Sequence, residues 1–303
     1  MGGARFLRGL SRHTDPTEVT VIGNTGDDEE FFGLHVSPDL DTILYTLAER
    51  ADPTQGWGLT GDTFATLEAL HALGEPTWFR LGDRDLATHL VRTERLRAGW
   101  PLSRVTAHLA RGYGVRTALL PMTDHRVRTF VHTDAGRLPF QTYLVRRGAR
   151  GRVRRIELAG AGTARPAPGV LAALRGSHAI VIPPSNPLVS VGPILALRGV
   201  REALRQRRGR VVAVSPLVAG RPVKGPLHRM LRGLGHEVSP RGVARLYVDV
   251  AGTFVLDVRD RHWRAAIEAL GMRVVITDTI MRTPALAGRL AAATLGGLEP
   301  PPT

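Results

Sequence analysis

Residues 179–216, AIVIPPSNPLVSVGPILALRGVREALRQRRGRVVAVSP, decide how this chain folds. Ala179-Ile180-Val181-Ile182 is a short β-branched run stopped by Pro183-Pro184, the pattern of a strand buried on both faces. A loop containing Ser185-Asn186-Pro187 follows, then helix-spaced apolar residues over Val200–Gln206, then a second buried run, Val211-Val212-Ala213-Val214, ended by Ser215-Pro216. Strand, loop, helix and strand in this order specify parallel strands joined by a crossover helix. The sequence thus predicts an α/β chain with a doubly wound, mostly parallel, Rossmann-like sheet.

Towards the C-terminus a third such unit runs through Met230–Leu234, Thr253–Asp257, Trp263–Leu270 and Val274–Ile276, and a helix over Ala285–Leu295 closes the chain. Towards the N-terminus, Gly169–Leu174 reads as helix after a proline- and alanine-rich linker, Thr163–Gly169. Val19-Thr20-Val21-Ile22 is a strand that breaks into the polar loop Gly23-Asn24-Thr25-Gly26-Asp27-Asp28. Leu40–Leu47, Phe64–Leu73 and Asp85–Leu96 have helical spacing, giving a helix-rich region over about 40–112. Val115–Leu120, Thr129–Thr133, Gln141–Val145 and Val153–Leu158 read as short strands of a smaller β-rich insertion over about 115–160. No internal repeat is present, and residues 1–303 read as one domain.

The absence of cysteine excludes disulfides, thiolate metal sites and cysteine nucleophiles. The +14 formal charge, from 41 Lys+Arg against 27 Asp+Glu, points to anionic ligands. Nucleic acid is not the expected partner. The arginines are scattered, and the densest runs, Arg146–Arg155 and Arg201–Arg210, lack interleaved aromatics, so a GC-rich coding bias accounts better for them. No apolar stretch is long enough to span a bilayer, and Met1–Phe6 has no signal-peptide pattern, so the expected setting is cytoplasmic with no membrane partner.

Asp27, Asp28, Asp39, Asp41 and Asp62 fall within 36 positions, each in or beside a turn. Hard oxygens of this kind suit Mg²⁺, and aspartate is equally a common turn and helix-cap residue. Asp83-Arg84-Asp85 with His89 reads either as an internal ion-pair cap or as a substrate clamp. Ser185, Asn186, Ser190 and Gly192 follow a buried strand, where backbone N–H groups can face a phosphate. Lys224, the single lysine of the chain, occupies the corresponding place one unit later.

Together these phrases resemble the 2-phospho-L-lactate transferase family and its phosphoenolpyruvate-using bacterial relatives. The resemblance rests on Ser37-Pro38-Asp39-Leu40-Asp41-Thr42, Gly56-Trp57-Gly58, Leu81-Gly82-Asp83-Arg84-Asp85 with Ala87-Thr88-His89, Pro184-Ser185-Asn186-Pro187 with Ser190 and Gly192–Leu195, and Asp278-Thr279-Ile280-Met281. It implies a Mg²⁺-dependent transferase of coenzyme factor 420 biosynthesis, working as a homodimer. The terminal ribityl hydroxyl of a deazaflavin, FO, would attack the acid-bearing phosphate of a guanylated donor and release GMP. By resemblance Asp41 is the catalytic and acceptor-binding residue and Arg80 the second acceptor position. Asp27, Asp28, Asp39, Asp41 and Asp62 form the metal neighbourhood, and Gly2, Gly3, Ser185, Asn186, Ser190 and Lys224 the donor and phosphate side.

Two departures stand out. Family members open with a β-strand and a Gly-Gly-x-Gly-Gly loop, of which Gly2-Gly3-Ala4-Arg5-Phe6 is the part present here, implying a start upstream of Met1. Thr123-Asp124-His125 carries a histidine where the family commonly has an acidic residue. The competing reading is a non-catalytic regulator that binds nucleotide sugars on a similar fold. The donor acid stays open between phosphoenolpyruvate, phospholactate and phosphoglycerate, with a GC-rich bacterial composition favouring the first.

Overall fold

Runs of β-branched residues too apolar to lie at a surface form the strands around which the chain is wound. The computed structural model describes residues 2–298. It opens with α1 (Gly2–Leu10) and β1 (Thr20–Gly23), followed by a hairpin of β2 (Glu29–Phe31) and β3 (Leu34–Val36). Four helices come next: α2 (Pro38–Leu47), α3 (Ala65–Ala72), α4 (Asp83–Arg97) and α5 (Leu102–Gly112). Strands β4 (Ala118–Pro121), β5 (Arg128–Thr133), β6 (Gly136–Pro139) and β7 (Val153–Ala159) lead to α6 (Val170–Gly176), β8 (Ile180–Ile182), α7 (Gly192–Leu195) and α8 (Val200–Gln206). The remainder is β9 (Val211–Val214), the short pair β10 (Leu217–Val218) and β11 (Arg221–Pro222), α9 (Leu227–Gly233), α10 (Pro240–Tyr247), β12 (Thr253–Asp257), α11 (Arg264–Glu268), β13 (Arg273–Thr277) and α12 (Pro284–Gly296).

The larger sheet has the order β13-β12-β9-β8 with every pair parallel, as in the registers Val181↔Val212 and Val255↔Val214. Alternate residues of a strand point to opposite faces, and both faces here are covered. Val212, Val214 and Val255 pack under Phe6 of α1 and Leu290 and Ala291 of α12. Val211, Ala213, Phe254 and Leu256 pack against Leu174, Val200, Leu204 and Val243 from α6, α8 and α10. This is the doubly wound α/β arrangement that the sequence predicts. At the crossing of α1 with α12, Gly9 lies so close to Ala287 and Gly288 that a β-carbon would collide with their backbone. A second parallel pair, β1 with β4, carries Leu119 and Val21 against Leu40 and Leu44 of α2 and Val105 and Leu109 of α5.

The middle segment holds a three-stranded antiparallel sheet of order β6-β5-β7. Here the structure departs from expectation. Gln141–Val145 reads as a strand, yet Thr142–Arg146 winds as a π-helical turn, and Gly136–Pro139 pairs with β5 instead. A two-residue turn at Asp134-Ala135 brings Gly136 directly back along β5, so the nearest residues take that edge. β7 takes the other edge, and Phe140 and Tyr143 are free to pack beneath the sheet with Val131, Val153 and Met230. Helix α10 was also not among the expected elements. It is begun by Ser239, whose hydroxyl accepts from the Gly242 N–H at 3.0 Å, ahead of Pro240. No described helix is long and apolar enough to cross a membrane.

Candidate active site

Loops at the carboxyl ends of parallel strands collect the polar residues, as strand geometry in an open α/β sheet requires. The loop after β1 carries Asn24, Asp27 and Asp28. The loop after β8 carries Ser185, Asn186 and Ser190. The N-terminus of α2 carries Asp39, and that of α1 carries Gly2 and Gly3. Asn24, only 3% exposed, ties three of these together. Its Nδ2 donates to Asp39 Oδ2 at 2.9 Å and to the Val189 carbonyl at 3.3 Å, while its Oδ1 accepts from the Gly26 N–H at 2.8 Å. It was not among the expected site residues. The readable signal was an asparagine immediately after a buried strand, since such a side chain can satisfy both backbone and carboxylate partners.

The acidic neighbourhood divides. Asp27 and Asp28 are both buried, each with one carboxylate oxygen lacking a hydrogen-bond partner. Asp28 Oδ2 accepts from Ser37 Oγ at 2.8 Å and sits 2.9 Å from His35 Nε2. Burial, then the negative charge of Asp39, raises the Asp27 carboxyl well above its ordinary range, with Asn24 opposing. Half-buried Arg128 faces Asp28 across a cavity of about 90 Å³ also lined by Asp27, Arg126 and Thr129.

Asp39 and Asp41 are two positions apart on α2 and therefore lie on nearly opposite sides of the helix. Asp39 lines the main cleft, together with Gly3, Asn24, Ser185 and Ser190. Asp41, 5% exposed, turns instead to α4, where its carboxylate is paired with the Arg92 guanidinium and lies 3.7 Å from His89 Nδ1. Burial raises its carboxyl despite Arg92 and His89. His89 Nε2 is 3.3 Å from Asp85, which also accepts the Tyr45 hydroxyl. Burial works against the Asp85 carboxylate, but the His89 and Tyr45 hydrogen bonds hold it below its usual range. The Asp85–His89 phrase is thus part of an internal network. Arg92 was absent from the expected site, although Asp85, His89 and Arg92 share one helix face at i, i+4 and i+7.

The structure sends other expected residues elsewhere. The Asp62 carboxylate caps α4, accepting from the N–H groups of Arg84 at 2.8 Å and Asp85 at 3.1 Å. Asp83 does the same for the first turn of α3 through Ala65 and Thr66, both at 2.9 Å. Exposed Arg80 lies 4.1 Å over the Phe64 ring, beside the Phe31–Phe79 stack. Asn186 shapes its own loop by accepting from the Leu188 N–H at 2.9 Å. Lys224 is exposed on the turn between β11 and α9. Asp124 anchors α5 through Ser103, leaving His125 at the surface. Gly2 and Gly3 abut Pro184 and Ser185 so tightly that a β-carbon on Gly2 would strike the Pro184 carbonyl.

Among the described residues no three His, Asp or Glu side chains converge to enclose a metal. The orphaned oxygens of Asp27 and Asp28 nevertheless fit a hard divalent cation, because Mg²⁺ is held by one or two carboxylates, with water and substrate phosphates completing its shell. A positive charge there would offset the burial, and then the negative charges of Asp39 and Asp28, that raise Asp27.

The family model described as 2-phospho-L-lactate transferase CofD matches residues 1–280. A phosphoenolpyruvate transferase of Streptomyces griseus is 46% identical over 279 residues, covering 90% of this chain and 88% of that protein. A 2-phospho-L-lactate transferase of Methanosarcina acetivorans is 38% identical over 295 residues, covering 97% and 95%. A solved UPF0052-family protein of Bacillus halodurans matches with a TM-score of 0.65 at 17% identity, covering 97% of this chain and 96% of that one, a likeness of fold alone.

Proposed function

This chain belongs to the 2-phospho-L-lactate transferase CofD family, and from that premise we propose that it moves a phosphoenolpyruvyl group from a guanosine-diphosphate donor to the deazaflavin FO, releasing GMP, in coenzyme factor 420 biosynthesis. Family membership carries the transferase class. The preference for phosphoenolpyruvate over phospholactate follows the higher identity to the relative so named, 46% against 38%.

What supports the reading chemically is that Asp39 shares one cleft with the glycine-led backbone of Gly3 and with Ser185 and Ser190, while Asp27, which feels the charge of Asp39, lines a second cavity with Asp28. The N–H groups of α1's first turn at Gly2 and Gly3, beside Ser185 and Ser190, suit the donor diphosphate. Asp39, fixed by Asn24, orients the terminal ribityl hydroxyl and accepts its hydrogen as the oxygen attacks the acid-bearing phosphorus. The bond from that phosphorus to the GMP oxygen breaks, and the proton leaves through Asp39. Asp27 and Asp28 would hold Mg²⁺, which when bound would supply charge neutralisation to the donor phosphates. Arg128 adds a fixed positive charge beside them. Asp41 anchors α2 through Arg92 and so sets where Asp39 stands, acting on the acceptor through its neighbour.

Incubation with Mg²⁺, FO and the guanylated enolpyruvate donor should yield, by mass spectrometry, the phosphoenolpyruvyl product of FO and equimolar GMP. An Asp39→Asn chain should lose turnover while still binding FO in a thermal-shift measurement. Binding of FO or GMP without turnover of any of the three acid donors would favour the regulator reading, and neither binding nor turnover would overturn the proposal.

A further inference from the structure

Buried Asp28 is held by one oxygen only. Its Oδ2 accepts from Ser37 Oγ at 2.8 Å and lies 2.9 Å from His35 Nε2, while its Oδ1 has no partner. An ionised carboxylate can only accept, so the His35 contact is a hydrogen bond donated by Nε2–H. The β2–β3 hairpin makes this meeting. Glu29 stands opposite Val36, so the next residues outward, Asp28 and Ser37, come side by side. Alternate residues share a face, which puts His35 and Ser37 on one side of the strand and Leu34 and Val36 on the other.

Each donor has given up a more ordinary role. Ser37 is the N-cap of α2, where a serine hydroxyl usually accepts from an N–H of the first turn, and here it makes no such bond. The hydroxyl is turned to Asp28 instead. The His35 side chain is 26% exposed, so the imidazole does not serve to fill the core. Its backbone is fixed firmly all the same, with the N–H donating to Thr93 Oγ1 at 2.8 Å and the carbonyl accepting from Arg92 Nη1 at 3.4 Å. Thr93 and Arg92 are both buried, and Arg92 is the residue that pairs with Asp41. One turn of α4 therefore sets β3 and α2 together.

We propose that His35 and Ser37 are positioning residues that clamp Asp28 Oδ2, so that Oδ1 alone is presented to a divalent cation. The inference rests on the reading of Asp28 as a metal carboxylate and adds the residues that aim it. A carboxylate free to turn can offer either oxygen or both. Two side-chain donors on one oxygen leave a single ligand atom of defined direction, which suits Mg²⁺ because its octahedral shell tolerates little distortion. Hydrogen-bond partners of metal-binding carboxylates are typically worth about ten- to a hundredfold in metal affinity. A purely architectural tie between β3 and the loop after β1 would carry no such dependence.

The test measures binding of Mg²⁺ alone to the 303-residue chain by calorimetry at 25 °C, with Tm read in parallel without metal. His35→Leu keeps the bulk and removes the donor, and His35→Gln returns an N–H donor on a side chain of similar reach. His35→Leu and Ser37→Ala should each weaken Mg²⁺ binding by about tenfold or more, and His35→Gln should stay within about threefold of the parent. Metal-free Tm falls whether the clamp or the architectural tie is correct, since Asp28 loses a donor in both cases, so Mg²⁺ affinity is the readout that separates them. Unchanged affinity in His35→Leu and Ser37→Ala, or a glutamine variant as weak as the leucine one, would overturn the clamp and leave the metal reading standing. A parent chain that binds no Mg²⁺ would overturn both. Should His35→Leu fail to fold, Ser37→Ala beside His35→Gln makes the same comparison. Turnover enters none of these readouts, so the clamp and the proposed reaction fail separately.

Discussion

Replacing Arg92 with methionine tests the internal network that sets α2. Arg92 is 2% exposed, and its guanidinium pairs with Asp41, donates to the His35 carbonyl at 3.4 Å and lies 3.2 Å from His89 Nδ1. Methionine keeps much of the volume and removes all of the charge. Asp41 is then left buried near Asp85 with no full countercharge, a situation that costs about 3–5 kcal/mol when one partner of a buried pair is removed. For a chain of this size that is a Tm loss of about 5–8 °C. The penalty depends on pH with a definite sign. Burial already raises the Asp41 carboxyl, and loss of Arg92 raises it further, so protonation relieves the variant at low pH and the destabilisation grows as pH rises through the folded-state value. Urea unfolding at pH 5 and pH 8 should show the smaller loss at pH 5. The double variant Arg92→Met with Asp41→Leu should recover most of the stability, because an apolar pair replaces an ion pair at little cost. A loss under about 1 kcal/mol for Arg92→Met, or additive effects in the cycle, would refute the claim that this pair is what holds α2.

Asp39→Asn should lower kcat by about a hundredfold or more with Tm little changed, since Asp39 lines the cleft and is not in the core. Asn24→Ala should cost about 1–3 kcal/mol in denaturant unfolding, because the Asp39 carboxylate and Val189 carbonyl lose their shared donor in a buried site. Asp27→Asn should raise Tm at pH 7 without divalent metal, the gain shrinking towards pH 4, because a carboxyl raised by burial destabilises the fold as pH rises above its unfolded value. Added Mg²⁺ should stabilise the parent chain and leave that variant's Tm unmoved. Gly9→Ala should destabilise by about 1–3 kcal/mol, read by thermal unfolding, as its methyl group meets the Ala287 and Gly288 backbone of α12.

Local pattern was enough for much of this protein. Ile180–Ile182, Val211–Val214 and Thr253–Asp257 are apolar, β-branched and bounded by turn residues, so strand type and parallel order followed from short-range chemistry. The loops after β1 and β8 were legible for the same reason, since polar residues at strand ends have few other places to go. What local pattern could not resolve was the direction of each side chain. Asp39 and Asp41 look equivalent in Asp39-Leu40-Asp41, and only the packing of α2 against α4 sends one to the cleft and the other to Arg92. Asp62 belonged by composition to an acidic cluster, but the start of α4 takes its carboxylate as a cap. Gln141–Val145 has a strand's composition and became a π-helical turn because β6 and β7 already occupy both edges of β5. Residue type and short-range periodicity determine which element forms. Which carboxylates converge, which are neutralised, and which strand edges remain to be paired depend on contacts between residues far apart in the chain, and those are decided only when the helices close over the sheet.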